Sequence, residues 1–178
     1  GSDQLVGLDR TTPDAVTLFK TFAKLQSLDV RVVAMEVSSH ALHQYRVHGI
    51  PFEVAVMTNL TRDHLDYHGD MDSYGRAKAR LFYDFNIRYA VLNSDDPFCK
   101  KLADKLSNKE VVTFGNSASD FKIQSIESVS TGSRISLSVR GVACSIEFPL
   151  LGEFNVQNVL AAVGAVTAIK PQMTEDVL

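Results

Sequence analysis

The sequence contains few cysteines and no membrane-spanning stretch. Its two cysteines, Cys99 and Cys144, lie far apart and show neither zinc-type spacing nor a disulfide framework. This usage is typical of a reducing compartment, and we expect a cytoplasmic protein. No apolar run approaches the roughly 20 residues that cross a bilayer, and the first residues carry no apolar signal core. We therefore expect no membrane partner.

The chain also lacks a basic excess and a phosphate-binding loop. Its 18 lysines and arginines are balanced by 21 acidic residues, for a net charge of −3. This balance argues against a nucleic-acid partner. None of the ten glycines precedes a lysine, so the GxxxxGK[ST] loop is absent, as is GxGxxG. A complete triphosphate site is therefore not expected on this chain alone.

The 178 residues, 45% of them hydrophobic, suffice for one domain with a core. Apolar runs alternate with helical patterns as far as Gly115, which predicts a mostly parallel, Rossmann-like α/β sheet flanked by helices. The predicted strands are 31–37, 53–59, 89–93 and 110–114. The predicted helices are one opened by Pro13 and Asp14, then 40–47, one from about Ser73, and 97–106.

The pattern changes after Gly115 to an alternation with period two. The segments 121–129, 134–141 and 143–150 follow it, with turns at Gly132 and Gly141. We therefore expect residues 116–150 to form a small antiparallel β subregion. A last helix is predicted from Asn155 to residue 169.

Polar residues cluster where two predicted strands end, in EVSSHALHQYR (36–46) and NLTRDHLDYHG (59–69). In open α/β sheets the ligand crevice lies outside the carboxyl ends of the strands. Glu36 has lost solvation on one side and is either a ligand of a hard cation or a charge at the start of a helix that Ser38 or Ser39 caps. His64 either binds a metal or phosphate, or belongs to a solvated acidic loop in which Asp72 or Ser73 caps the next helix.

Lys78 lies on the apolar side of its predicted helix, four residues from both Tyr74 and Phe82. Burial disfavours an ammonium, and a neutral amine can capture carbon dioxide. The resulting carbamate is an anion that suits magnesium near Glu36 and His64. The alternative is a lysine whose stem packs while its head reaches water.

Five further residues offer hydrogen bonds to an anionic ligand or have purely structural roles. Gln44 and Arg46 can bind a carboxylate or phosphate, or can lie on an exposed helix surface. Thr11 and Thr12 can cap the first helix, or can present hydroxyls to an anion. Asn155 is expected to cap the last helix, whereas the position of Asn158 inside that helix is not explained by capping.

Six segments together resemble the Mur ligase family, in the family's order, from Thr11 to about Ala168. They are TTPDA, EVSSHALHQYR, NLTRDHLDYHG, the AK of YGRAKARLF, VLNSDDP and LLGEFNVQNVLAA. The second and third are most similar to members that add the third peptide residue to UDP-N-acetylmuramoyl-L-alanyl-D-glutamate. The added amino acid, meso-diaminopimelate or L-lysine, is left open.

This resemblance implies an ATP-dependent ligase of peptidoglycan synthesis that works through an acyl phosphate, with Mg²⁺ and ATP as cofactors. Glu36 and His64 match the family's magnesium-binding positions, and Lys78 matches its carbamylated lysine. Positions that hold the muramoyl-dipeptide are matched by Thr11, Thr12, Ser38, Gln44 and Arg46. Asn155 and Asn158 match an asparagine motif near the adenine.

The chain departs from the family's three-domain design. The uridine-binding first domain, the phosphate loop and the C-terminal domain are not in the sequence, so residues 1–178 resemble a truncated middle domain. We expect this chain to be monomeric and inactive by itself. Two alternatives remain, a metal-dependent hydrolase and a non-catalytic ligand-binding domain.

Overall fold

The structure is a computed structural model that describes residues 11–117 and 119–171. The chain divides into two compact units. The first unit comprises residues up to Pro51 together with His64–Leu81, and the second comprises Phe52–Asp63 and the chain from Phe82 onward. In the part of the chain that is described, no helix has the length and apolar character needed to span a membrane.

The first unit is built from helices: α1 (Ala15–Ser27), α2 (Ser39–His43), α3 (Leu65–His68) and most of α4 (Met71–Tyr83). The prediction of α1 is confirmed, and the Asp14 carboxylate caps it by accepting a hydrogen bond from the Thr17 amide. Helix α4 begins earlier than predicted. Asp70, rather than Asp72 or Ser73, caps it, because the Asp70 carboxylate accepts from the Ser73 amide at 2.6 Å.

The predicted strand 31–37 is wrong, because these residues form no strand. A strand needs a neighbour that satisfies its amides and carbonyls, and this segment pairs with none of the described strands. Val32 and Val33 are correspondingly exposed, by 71% and 46%. The helix predicted over 40–47 is also shorter than expected, since α2 ends at His43.

The second unit contains one six-stranded sheet in the order β1-β2-β3-β4-β5-β6. The strands are β1 (Val54–Met57), β2 (Tyr89–Asn93), β3 (Glu110–Gly115), β4 (Phe121–Val129), β5 (Gly132–Val139) and β6 (Val142–Phe148). Neighbours from β1 to β4 are parallel, and those from β4 to β6 are antiparallel. The predicted fold class is confirmed, and the antiparallel strands extend the same sheet.

Two helices pack in this unit, α5 (Pro97–Ala103) and α6 (Glu153–Ile169). All five residues of β2 are buried, as expected for a strand covered on both faces. Val156 and Leu160 of α6 are fully buried and join the core with Phe114 and Ile135. Helix α6 begins at Glu153, two residues before the predicted start. Asn155 therefore does not cap it, and its side-chain amide instead donates to the Leu151 carbonyl at 2.7 Å.

The carboxylate of Asp95 fixes the loop that follows β3. It accepts four hydrogen bonds, two from Asn116 and two from Ser117. Burial raises the pKa of Asp95, but these bonds outweigh it and hold the pKa below the ordinary value. Gly115 lies against this carboxylate with φ +145°, and a Cβ there would come within 2.7 Å of Asp95 Oδ2. The close approach requires glycine.

We predict that Gly115→Ala destabilises the protein more than Gly141→Ala. Both glycines have positive φ, but a Cβ at Gly141 would meet no atom within 4 Å. The overlap with Asp95 should cost about 1–3 kcal/mol beyond the backbone strain that the two variants share. Urea denaturation followed by circular dichroism measures the difference. Equal losses in the two variants would contradict the role given to the Asp95 contact.

Candidate functional site

The Thr12 hydroxyl holds the segment that carries Glu36 and Ser38. Thr12 is 1% exposed. Its hydroxyl donates to the Glu36 carbonyl at 2.9 Å and accepts from the Ser38 amide at 3.0 Å. These two bonds replace the ladder bonds that a neighbouring strand would have supplied. Thr12 therefore caps no helix, and Thr11 beside it is exposed.

Ser38 begins helix α2. Its hydroxyl accepts from the Ala41 amide at 3.2 Å, which confirms the capping alternative for this residue. The expectation that Glu36 is partly desolvated is wrong, because Glu36 lies in the unpaired segment and is exposed. Its carboxylate is thus open to an incoming ligand, and its role as a metal ligand stays a prediction.

Arg46 and Gln44 form one hydrogen-bonded group. The Gln44 side-chain carbonyl accepts from both Nε and Nη2 of Arg46. Arg46 Nη1 donates to the Thr12 carbonyl at 3.0 Å, and Gln44 Nε2 donates to the Tyr67 hydroxyl at 3.0 Å. The guanidinium is therefore held in one orientation. A carboxylate or phosphate that displaced the Gln44 carbonyl could accept hydrogen bonds from both Nε and Nη2 of Arg46.

Tyr74 brings two of the predicted site residues together. Its ring is buried, 6% exposed, and Lys78 Nζ lies 5.4 Å from its centroid. The His64 ring meets the same ring edge-on at 5.9 Å between centroids, and His68 stacks on it at 5.3 Å. Lys78 is itself half-buried. Its contact is the kind that an ammonium makes with an aromatic face, and carbamylation of Lys78 stays a prediction.

Sequence reasoning missed two features of this site. It assigned Tyr74 only to an apolar stripe, although the spacing of four residues to Lys78 was visible. It also treated the histidines singly, whereas the His40 ring lies 4.9 Å from His64 and 5.5 Å from His68 between centroids. The signal for this histidine cluster was the spacing of four residues between His64 and His68, which brings two side chains to one face of a helix.

Burial and the neighbouring imidazoles oppose the protonation of His40 and His68. Burial lowers the pKa of His40, and the neighbouring His64, Arg46 and His43 lower it further, against an opposing effect of Asp66. Burial lowers the pKa of His68 as well, followed by the effects of His40, His43 and His64. His68 Nε2 also lies 2.9 Å from the Ser39 hydroxyl, which orients the ring.

His64 has a left-handed backbone, with φ 53°. It precedes α3 but makes no capping bond with its side chain, so the imidazole is directed towards the rings of His40 and Tyr74 instead. A positive φ is uncommon for residues other than glycine, although histidine, like asparagine and aspartate, adopts it several-fold more often than most. The predicted loop around His64 contains the short helix α3, which sequence reasoning missed.

The candidate site offers donors that suit a magnesium ion only together with water or substrate oxygens. Within residues 11–117 and 119–171, no three side chains of His, Cys, Asp or Glu are grouped so as to hold a metal ion. Magnesium sites commonly use one or two carboxylates and complete the shell with water and substrate phosphates. The exposed Glu36 carboxylate and a carbamate on Lys78 fit that chemistry as oxygen donors. His64 offers a ring nitrogen, and its ring contacts the same Tyr74 ring as Lys78.

The two asparagines lie in the second unit, on α6. Asn155 is half-buried and makes its bond to the Leu151 carbonyl, whereas Asn158 is exposed. Their contact with an adenine stays a prediction.

Comparisons with known proteins agree on one family. Residues 3–166 match the Mur ligase middle domain. The chain is 42% identical, over 97% of its length, to the UDP-N-acetylmuramoyl-L-alanyl-D-glutamate–2,6-diaminopimelate ligase of Xylella fastidiosa strain 9a5c. It covers 36% of that enzyme, about a third of its length.

Solved structures show the same relationship. A UDP-N-acetylmuramoyl-L-alanyl-D-glutamate–2,6-diaminopimelate ligase superposes with a TM-score of 0.81 at 34% identity, covering 89% of this chain and 34% of the other. The folylpolyglutamate synthase of Mycobacterium tuberculosis, complexed with ADP and AMPPCP, superposes with a TM-score of 0.55 at 26% identity. That match covers 68% of this chain and 28% of the other.

We predict that Thr12→Val loosens the segment from Glu36 to Ser38. The nearly isosteric change leaves the Glu36 carbonyl and the Ser38 amide without their partner, at a cost of about 1–3 kcal/mol. Hydrogen exchange at the Ser38 amide should accelerate accordingly. Thr21→Val is the control, since the Thr21 hydroxyl bonds only the Thr17 carbonyl within α1. If both variants exchange alike, the bridge does not hold this segment.

We also predict that stability falls as the pH drops below about 6.5, the ordinary pKa of histidine. The unfolded chain binds protons there, while folding lowers the pKa values of His40 and His68, so the unfolded state takes up more protons. His68→Gln should reduce this loss between pH 7.5 and 5.5. Melting temperatures measure the loss of stability between these pH values. The melting temperature of His68→Gln at pH 8 shows what the substitution costs through packing alone. An unchanged pH slope in His68→Gln would contradict the prediction.

Proposed function

Because the chain belongs to the Mur ligase family and matches the family's middle domain, we propose that it is part of an ATP-dependent ligase of peptidoglycan precursor synthesis. The observation that carries the proposal is the 42% identity over 97% of the chain to an enzyme named as a 2,6-diaminopimelate ligase. The proposed reaction adds diaminopimelate, rather than lysine, to UDP-N-acetylmuramoyl-L-alanyl-D-glutamate. Residues 1–178 would form part of the middle domain, with the remaining ligase domains on other segments.

The proposed reaction has two steps. An oxygen of the D-glutamyl γ-carboxylate attacks the γ-phosphorus of ATP, which forms an acyl phosphate and releases ADP. The amine of diaminopimelate then attacks the acyl carbon, phosphate leaves, and the amine loses a proton as the amide forms. Use of ATP is supported by the ADP and AMPPCP complexes of the folylpolyglutamate synthase, which has the same fold. A cytoplasmic location is proposed with it, in agreement with Cys99 and Cys144 lying outside any disulfide.

Five residues of the first unit are proposed to hold the muramoyl-dipeptide: Thr11, Thr12, Ser38, Gln44 and Arg46. Arg46 suits an anionic group best, because its guanidinium is fixed by the Gln44 and Thr12 carbonyls. Thr12 acts by positioning, since its hydroxyl is committed to the backbone of Glu36 and Ser38.

Glu36, His64 and a carbamylated Lys78 are proposed to serve the transferred phosphoryl group. Magnesium, when bound by oxygen donors of this set, offsets the negative charge that develops on the phosphoryl oxygens. Lys78 Nζ lies against the Tyr74 ring, and the rings of His64 and His68 contact the same ring. Asn155 and Asn158 of α6 are proposed to contact the adenine, Asn158 more directly because it is exposed.

We predict that Lys78→Arg lowers ADP release roughly 100-fold or more in a ligase of full family length that carries this chain. Arginine keeps the positive charge but cannot form a carbamate. ADP is measured with UDP-muramoyl-dipeptide, diaminopimelate and ATP. Lys100→Arg, an exposed position on α5, is the matched control and should retain activity.

A second measurement reports the modification itself. With ¹³C-bicarbonate, the unmodified ligase should show a carbamate carbon resonance that Lys78→Arg lacks. Full activity of Lys78→Arg would refute the role proposed for Lys78. Substrate hydrolysis that needs zinc or manganese and releases no ADP would support the hydrolase alternative, which no feature of the described residues favours.

A further inference from the structure

The turn that follows helix α2 is closed by a tyrosine, at a position where glycine is usual. Tyr45 has a left-handed backbone, with φ 57°, and its amide donates to the Leu42 carbonyl at 3.3 Å. The amide of Arg46 donates to the Ala41 carbonyl at 2.9 Å. With Gln44 as the C-cap, these two bonds form a Schellman motif. The residue that directly follows the left-handed position is therefore Arg46, which is proposed to hold the muramoyl-dipeptide.

A left-handed backbone is unfavourable for tyrosine. In this conformation the Cβ atom of an L-residue comes too close to the following carbonyl oxygen, and glycine and asparagine are the usual residues at this position for that reason. Burial of the side chain offsets little of this cost, since Tyr45 is 62% exposed. The turn therefore depends on contacts that come from outside α2.

Arg80 of helix α4 supplies two such contacts. Its Nη1 donates to the Leu42 carbonyl at 2.8 Å, which is the same carbonyl that accepts from the Tyr45 amide. Arginine side chains commonly bond the last carbonyls of a helix in this way. The Arg80 guanidinium also lies 4.3 Å from the centroid of the Tyr45 ring, in the contact that a cation makes with an aromatic face. Arg80 thus holds the turn both at its backbone and at its side chain.

Helix α4 links this turn to the other group of proposed site residues. Lys78 and Arg80 are two residues apart, about 200° around the helix axis, so they lie on different sides of α4. Lys78 meets the Tyr74 ring, whereas Arg80 reaches the end of α2. One helix therefore carries the lysine proposed to serve the phosphoryl group and the arginine that holds the turn before Arg46.

On the basis of the ligase function proposed above, we propose that Arg80 is a positioning residue, which holds the turn at Tyr45 so that Arg46 is set to bind an anionic group of the muramoyl-dipeptide. The Arg46 guanidinium is oriented by the Gln44 and Thr12 carbonyls, and Arg80 fixes the backbone from which it extends. Without Arg80, a smaller fraction of molecules is ready to bind, and the apparent dissociation constant rises in proportion.

The first test needs no catalysis. Hydrogen exchange at the Tyr45 and Arg46 amides of this chain reports how often the turn opens. Arg80→Met keeps a long side chain but removes the guanidinium, and it should accelerate exchange roughly tenfold, as for a lost hydrogen bond to a charged group. Arg76→Met is the matched control, because Arg76 is exposed on the same helix and bonds the Ser73 hydroxyl. It should leave both exchange rates unchanged.

A further variant separates a role in this turn from a general loss of stability. Asparagine adopts the left-handed conformation more readily than tyrosine. Combining Tyr45→Asn with Arg80→Met should therefore restore slow exchange at the Arg46 amide. The proposal is overturned if the double variant exchanges as fast as Arg80→Met, or if Arg76→Met accelerates exchange equally.

The second test uses a ligase of full family length that carries this chain. Arg80→Met should raise KM for UDP-muramoyl-dipeptide roughly tenfold and leave KM for ATP unchanged. An unchanged KM for the dipeptide overturns the positioning role, and so does a lower kcat with both KM values unchanged, since Arg80 would then act through Lys78. If the unmodified ligase releases no ADP, the proposed function fails instead, while the exchange rates still decide whether Arg80 holds the turn.

Discussion

The first unit depends on the two hydrogen bonds made by one buried hydroxyl. Thr12 bonds the Glu36 carbonyl and the Ser38 amide, and its own carbonyl accepts from Arg46. One residue therefore fixes both ends of the stretch from Glu36 to Arg46. The capping of α2 by Ser38 and the orientation of Gln44 follow from this anchor, so the substrate residues proposed here share one support.

Much of the fold could be predicted, because burial on both faces leaves a clear pattern. Strand β2 was predicted residue for residue, and all its positions are buried. Residues 31–37 have a similar apolar run yet form no strand. The apolar pattern indicates the conformation that a segment favours. A strand also requires a neighbouring strand to pair with, and the local sequence does not show whether one is present. The start of α4 was misjudged for a related reason, since several acids compete to cap it and only geometry selects Asp70.

The sequence proposed residues for the candidate site but could not give their contacts. Positions at the ends of predicted strands indicated Glu36 and His64, and apolar spacing indicated that Lys78 lies on the buried side of α4. Spacing along one helix cannot show which rings meet across several elements. The sequence therefore missed that Tyr74 lies between Lys78 and two histidines, and it placed Glu36 in a partly desolvated position that is in fact exposed.

The change of strand direction at β4 divides the sheet into halves with different folding demands. Strands β4, β5 and β6 are joined by short turns, so their pairing closes small loops at little entropic cost. Pairing of β1 with β2 must close a loop formed by residues 58–88. Contacts between residues close in sequence form faster than contacts between distant residues. We therefore expect the antiparallel hairpins to assemble early. The parallel half has the longer crossovers and would set the rate at which the sheet is completed.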